Sequence, residues 1–205
     1  MSHYHHGDLP NALVAAALRR VEAQGGEGFS LREAARDVGV SANAAYRHFE
    51  HKDALLAAVA TVGFEALSAA MRRALDSPPP GRSAGEAALL AVGQAYVAFA
   101  LARPHLFRLM FTDRGTSCLR VEAAMQGPPP GVLLRQALDV LAAEGRVAAD
   151  RRATDALDAW VVAHGFAMLA LNGPPALRDE TTRDRALGAA LDPLLAGLRT
   201  PTSPA

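Results

Sequence analysis

Apolar residues recur along this chain three and four positions apart, broken by glycine, proline and serine, and the pattern predicts helices throughout. The first starts at Asp8, a capping residue, carries Pro10 in its first turn and runs to about Gln24. Leu13, Ala17 and Val21 make its inner face, with Val14 and Leu18 beside them, and Gly25, Gly26 and Gly28 break it. Ser30 then caps a short helix, Glu33 completes a capping box, and Leu31, Ala34, Ala35 and Val38 share one stripe. Gly39 ends that helix with a positive φ, Val40 anchors the corner in the core, and Ser41 caps a second helix over about Ala42 to Phe49. A long helix follows from Lys52 to about Leu75, connecting the head to the body of the protein.

Beyond the break at Ser77-Pro78-Pro79-Pro80-Gly81, further helices are predicted from Ala84 to Ala102 and, opened by Pro104, from His105 to Phe111. A weaker one lies around Ser117 to Met125, and others span Val132 to Glu144, Arg151 to Leu171 and Thr182 to Leu198. Residues 200–205 read as a disordered tail. No stretch sustains the period-two alternation of a strand. The predicted class is all-α: a three-helix helix-turn-helix head on a larger helical body.

Composition narrows the function classes. Hydrophobic residues make up 50% and aromatics 5%, mostly alanine, leucine and valine. No apolar run reads as long and uncharged enough to span a bilayer, and the start, Met1-Ser2-His3-Tyr4-His5-His6-Gly7, is polar where a signal peptide needs an apolar segment. A lone Cys118 excludes an internal disulfide framework and suits a reducing cytoplasm. His3, His5 and His6 read as a solvated arm and not a metal site, and no motif calls for a metal or cofactor.

Charge does not advertise a nucleic-acid binder: the formal net charge is zero. In residues 1–55, six cations (Arg19, Arg20, Arg32, Arg36, Arg47, Lys52) face seven anions (Asp8, Glu22, Glu27, Glu33, Asp37, Glu50, Asp53), a balance of −1. DNA binding therefore has to come from local placement. Helix, glycine corner and capped helix form the physical outline of a helix-turn-helix reader. Phe49 and Leu55 are apolar enough to seat the second helix, leaving Tyr46, Arg47, His48 and Lys52 as a cluster of donors.

These residues resemble the TetR family of bacterial transcriptional regulators, through Gly39-Val40-Ser41, Tyr46-Arg47-His48-Phe49 and Lys52. The resemblance implies a DNA-binding domain over 1–51, an effector-binding and dimerisation domain over 52–199, and a homodimer that holds double-stranded operator DNA and releases it to a small-molecule effector. It places Ser41 and the amides beside it on a phosphate, which a helix N-terminus favours. Ala42, Asn43 and Ala44 face base edges, where Asn43 alone has directional hydrogen bonding. Tyr46, His48 and Lys52 clamp the backbone, Arg47 reads a base or a phosphate, and Ser30 and Arg32 complete the DNA-facing set. The family's lysine or threonine at the base-reading positions is absent here, which changes the operator and not the fold.

A second resemblance spans the body. Trp160, His164 and Gly165, with Arg103-Pro104-His105-Leu106-Phe107 upstream and Tyr4-His5-His6-Gly7-Asp8-Leu9 at the start, are similar to the subgroup named for its Trp-His-Gly motif. The effector pocket it implies draws on Tyr96, Phe99, Phe107, Met110, Phe111, Met125, Trp160, His164 and Met168, a set that suits a small, mostly apolar ligand. Dimerisation is expected through the helix from Arg151 and through Leu187, Leu191, Leu194, Leu195 and Leu198 of the last helix. Gly63, inside the long helix, is expected to act as a bend in the switch. The alternative is a helical enzyme or binding protein using Trp160 and His164, with Asp155 and Asp158 upstream. No nucleophile elbow, phosphate loop or HExxH accompanies them.

Overall fold

A computed structural model describes residues 8–112, 129–147 and 152–198, and every regular element among them is helical. In chain order these are α1 (Leu9–Gln24), α2 (Leu31–Asp37), α3 (Ala42–Tyr46), α4 (Lys52–Leu75), α5 (Ala84–Ala102), α6 (Pro104–Met110), α7 (Pro129–Ala143), α8 (Arg152–Asn172), a 3₁₀ turn (Pro175–Arg178) and α9 (Glu180–Leu198). The weaker helix expected around Ser117 to Met125 lies outside the described residues, as do Cys118, the N-terminal histidines and the tail.

Contact and chain order divide the protein differently. One compact unit joins the described residues up to Phe64 with α6; the other takes Glu65–Ala102 and the described residues from α7 onward. In the first, Leu13, Ala16, Ala17 and Val21 of α1 meet Leu31, Ala34 and Ala35 of α2 and Ala45 of α3, all buried. The Arg20 guanidinium ties α1 to Asp37 at the end of α2, and Arg103 ties α6 to Glu22 of α1. Phe111, just past α6, meets Phe64 edge-on at 5.5 Å, and Met110 fills the space a side chain at Gly63 would need.

The second unit is centred on Leu89, Leu134, Ala137, Leu138, Leu141, Ala156, Ala159 and Leu195, where α5, α7, α8 and α9 pack together. The start of α5 is capped from a distance: Glu144 accepts hydrogen bonds from the Ser83 hydroxyl (2.7 Å) and the Gly85 amide (3.0 Å). Buried Glu86 pairs with Arg146.

Five local expectations change. Asp8 makes no side-chain cap; its carboxylate accepts from the Asn11 side chain at 2.6 Å instead. Helix α3 ends at Tyr46, three residues short of Phe49, and Val40 is half-buried and not a core residue. Leu187, Leu191 and Leu195 are buried within their own chain, the first two against α5 beside Gly93, so they do not present themselves to a second chain. Finally, α4 and α5 are long and apolar enough to cross a membrane, which the sequence pattern was expected to exclude. Half of α4's most apolar stretch and two thirds of α5's are buried inside the protein, so that apolar character serves packing.

Candidate functional site

The corner between α2 and α3 follows from a few local contacts. The Glu33 amide donates to the Ser30 hydroxyl (3.3 Å) while the Ser30 amide donates to the Glu33 carboxylate (2.7 Å), a reciprocal capping box. The Ser30 hydroxyl also donates to the Glu33 carboxylate (2.9 Å), and this bond first, with the one from the Ser30 amide, holds the Glu33 carboxyl below its ordinary range. At the other end Gly39 takes φ +73°, the Val40 amide returns to the Ala35 carbonyl (3.0 Å) and the Gly39 amide to that of Arg36 (3.1 Å). This pair of bonds is a Schellman motif, and a side chain at Gly39 would be strained in it. Ser41 is extended, and its hydroxyl accepts from the Ala44 amide at 3.2 Å, starting α3 at once.

Ala45 is the buried residue of α3 and seats it. Asn43, Arg47 and His48 are exposed, Tyr46 is 44% exposed, and Ala42 and Ala44 are half-buried. The amides of His48 and Phe49 both return to the Ala45 carbonyl at 3.0 Å, so the turn carries past the end of α3 and half-buries Phe49. Ser30 lies inward of this surface in its capping box, and Arg32 is exposed on α2.

Two features of this surface were not legible in the residue pattern. His51 caps α4: its Nδ1 accepts from the Ala54 amide at 3.0 Å, which puts the imidazole proton on Nε2 when the ring is neutral. Histidine is outside the usual capping set, so no motif marks it. Lys52 also has partners within the chain: its ammonium donates to the Glu27 carbonyl at 3.2 Å and sits 5.3 Å over the Phe29 ring.

The residues expected to line an effector pocket are drawn from both compact units. Tyr96 of α5 meets Trp160 and His164 of α8: the indole N–H donates to the Tyr96 oxygen (3.3 Å), which lies 2.9 Å from His164 Nδ1. Burial pushes the Tyr96 phenol up and the His164 imidazole down, so both are neutral. The Tyr96 oxygen accepts from the indole, which can only donate, and the direction of its bond to Nδ1 follows the imidazole tautomer. Phe99 is buried on the same helix as Tyr96, and Met168 is on the exposed side of α8. Phe107 and Met110 are fully buried in the other unit, where the Phe107 and Phe111 rings lie 4.9 Å apart. Met125 lies outside the described residues.

With this geometry in place, the comparisons decide the family. Residues 13–59 match the bacterial regulatory proteins of the tetR family, and residues 89–194 match the tetracyclin repressor-like C-terminal domain. The chain belongs to the TetR family. Family membership makes it a DNA-binding transcriptional regulator and not an enzyme, which closes the catalytic reading of Trp160 and His164.

Solved structures agree on the TetR fold. A protein with unknown function from Rhodococcus sp. RHA1 is 32% identical over 98% of this chain and 100% of its own, with a TM-score of 0.75. A TetR-family transcriptional regulator from Pectobacterium atrosepticum is 22% identical over 97% of this chain and 96% of its own, with a TM-score of 0.64. A variant TetR from Acinetobacter baumannii AYE, in complex with minocycline, is 21% identical over 93% and 98%, with a TM-score of 0.60. No curated protein matches the chain.

Proposed function

We propose that this regulator is a homodimeric, cytoplasmic repressor that leaves its operator when a small, mostly apolar molecule binds, and that it belongs to the Trp-His-Gly subgroup. Residues 1–51 are its DNA-binding domain, and 52–199 bind the effector and the second chain. The observation that carries this function is the surface of α3: a capped helix start with Asn43, Tyr46, Arg47 and His48 exposed behind a glycine corner. Asn43 reads a base edge, Arg47 a base or a phosphate, and Tyr46, His48, Lys52 and the Ser41 end of α3 hold the backbone.

Among the effector candidates, Tyr96, Phe99, Trp160 and His164 are favoured, because a neutral polar trio beside apolar walls suits an uncharged ligand with one polar group. A ligand there binds the DNA-incompetent dimer more tightly, and by linkage DNA weakens ligand binding by the same factor, typically about 1–3 kcal/mol of coupling. Dimerisation is favoured through α8, where Leu157, Val161, Met168 and Leu169 are large apolar residues open to solvent.

The test is a gel shift with the DNA upstream of the protein's own gene. Specific retardation that weakens steeply with added salt is expected. No retardation, or retardation indifferent to salt, overturns the function.

A further inference from the structure

The 21 basic side chains of the full sequence comprise 20 arginines and a single lysine, Lys52. A chain that meets every other need for a cation with guanidinium keeps one side-chain amine, at the first residue of α4 and four residues after His48. Ammonium differs from guanidinium in two respects that matter here. It is compact, and fits between the Glu27 carbonyl at 3.2 Å and the Phe29 ring at 5.3 Å. Once it gives a proton to solvent it also becomes a nitrogen nucleophile that can attack an acyl carbon, which guanidinium in a protein does not.

We propose that Lys52 is an acyl-acceptor site, modified by a small acyl phosphate, and that its acylation keeps released protein off the operator without any effector. The proposal rests on the α3–α4 surface being the operator-binding face. In the reaction the free amine attacks the acyl carbon. A C–N bond forms, the C–O bond to phosphate breaks, phosphate leaves with the bonding pair, and the displaced amine proton passes to it. No electron donor or acceptor is needed.

The product is a neutral amide where three charge-dependent interactions converge. Attraction to the Phe29 ring needs a cation, and so does the contact with an operator phosphate. The hydrogen bond to Glu27 keeps one donor but loses its charge assistance. Lys52 is half-buried, within reach of a small reagent in free protein, and DNA lying on the α3–α4 surface covers it. Acylation therefore takes place on released protein and prevents its return.

The experiment incubates the full chain with acetyl phosphate, with and without operator DNA. Peptide mass spectrometry then reads acetylation, and fluorescence anisotropy reads operator affinity. The expected result is an acetyl group at Lys52 in free protein and little in the operator complex. Operator Kd should rise on the order of tenfold or more, and the salt slope should fall by about 0.9 per lost phosphate contact. Lys52→Arg, treated the same way, should bind as its own untreated sample does. Three results overturn the proposal: an unmodified Lys52 beside an acetylated α-amine, full acetylation with unchanged Kd, or equal loss of affinity in treated Lys52→Arg. If untreated wild type binds no DNA, the operator-binding face itself is wrong, and the proposal falls with it.

Discussion

The Arg20 guanidinium holds Asp37 through two hydrogen bonds, Nε to Oδ2 at 2.5 Å and Nη2 to Oδ1 at 2.8 Å, joining α1 to the last residue of α2. The contact lowers the Asp37 carboxyl from its ordinary range, as Ser30 lowers Glu33. A carboxylate with a depressed folded-state pKa adds stability above its unfolded pKa, and that stability is lost as pH falls through the folded value. The head should therefore be stable at neutral pH and weaken below about pH 4, the ordinary carboxylate range. Glu144, lowered by Ser83, adds the same trend in the second unit. Thermal melts followed by circular dichroism from pH 7 to 3 should show a falling midpoint, and Asp37→Asn should lower the neutral midpoint and flatten the fall. A pH-independent wild-type midpoint contradicts this.

Gly63, expected from the sequence to be a bend in α4, is a packing position in the structure. A Cβ there would lie 2.7 Å from Met110 Sδ and 3.2 Å from Leu106 Cδ1. Gly63→Ala should gain up to about 1 kcal/mol of helix propensity and lose about 1–3 kcal/mol to overpacking, a net destabilisation. In a Met110→Ala background the added methyl has room, and Gly63→Ala should be neutral or stabilising. Urea midpoints of the four proteins check this, and a raised midpoint for Gly63→Ala alone refutes it.

Asn43→Ala should flatten the preference at one base position, by about 1–3 kcal/mol. Tyr46→Phe should instead weaken all operator variants alike, because a backbone contact carries no sequence information. Competition binding against single-base operator variants separates the two. An unchanged ranking in Asn43→Ala sinks the readout assignment. Lys52→Ala is a poorer probe of a phosphate contact, since it also removes the ammonium from Glu27 and Phe29.

Val161 and Leu169 are 59% and 60% exposed on α8, and a methyl added at Gly165 between them would meet nothing within 4 Å. If a second chain covers this face, Val161→Asp and Leu169→Asp should each yield monomers, because an unpaired charge would be buried at the contact. Light scattering at micromolar concentration should give a dimer mass for wild type and a monomer mass for both variants. A monomeric wild type rules the homodimer out.

The sequence alone determined what depends on neighbours three to five residues apart. Ser30 with Glu33, Gly39 after α2, and Ser41 before α3 each act through bonds inside one turn, so residue types at fixed offsets were enough to read the corner. The helical class was legible for the same reason. His51, though equally local, escaped because histidine caps too seldom to form a pattern. Only the tertiary structure decided that Tyr96 meets His164 and Trp160, 68 and 64 residues away, while Phe107 and Met110 are buried in the other unit. It also decided that Lys52 reaches back 25 residues to Glu27. An apolar or aromatic residue declares that it will be buried, but which helix buries it depends on how every other side chain fills the same space.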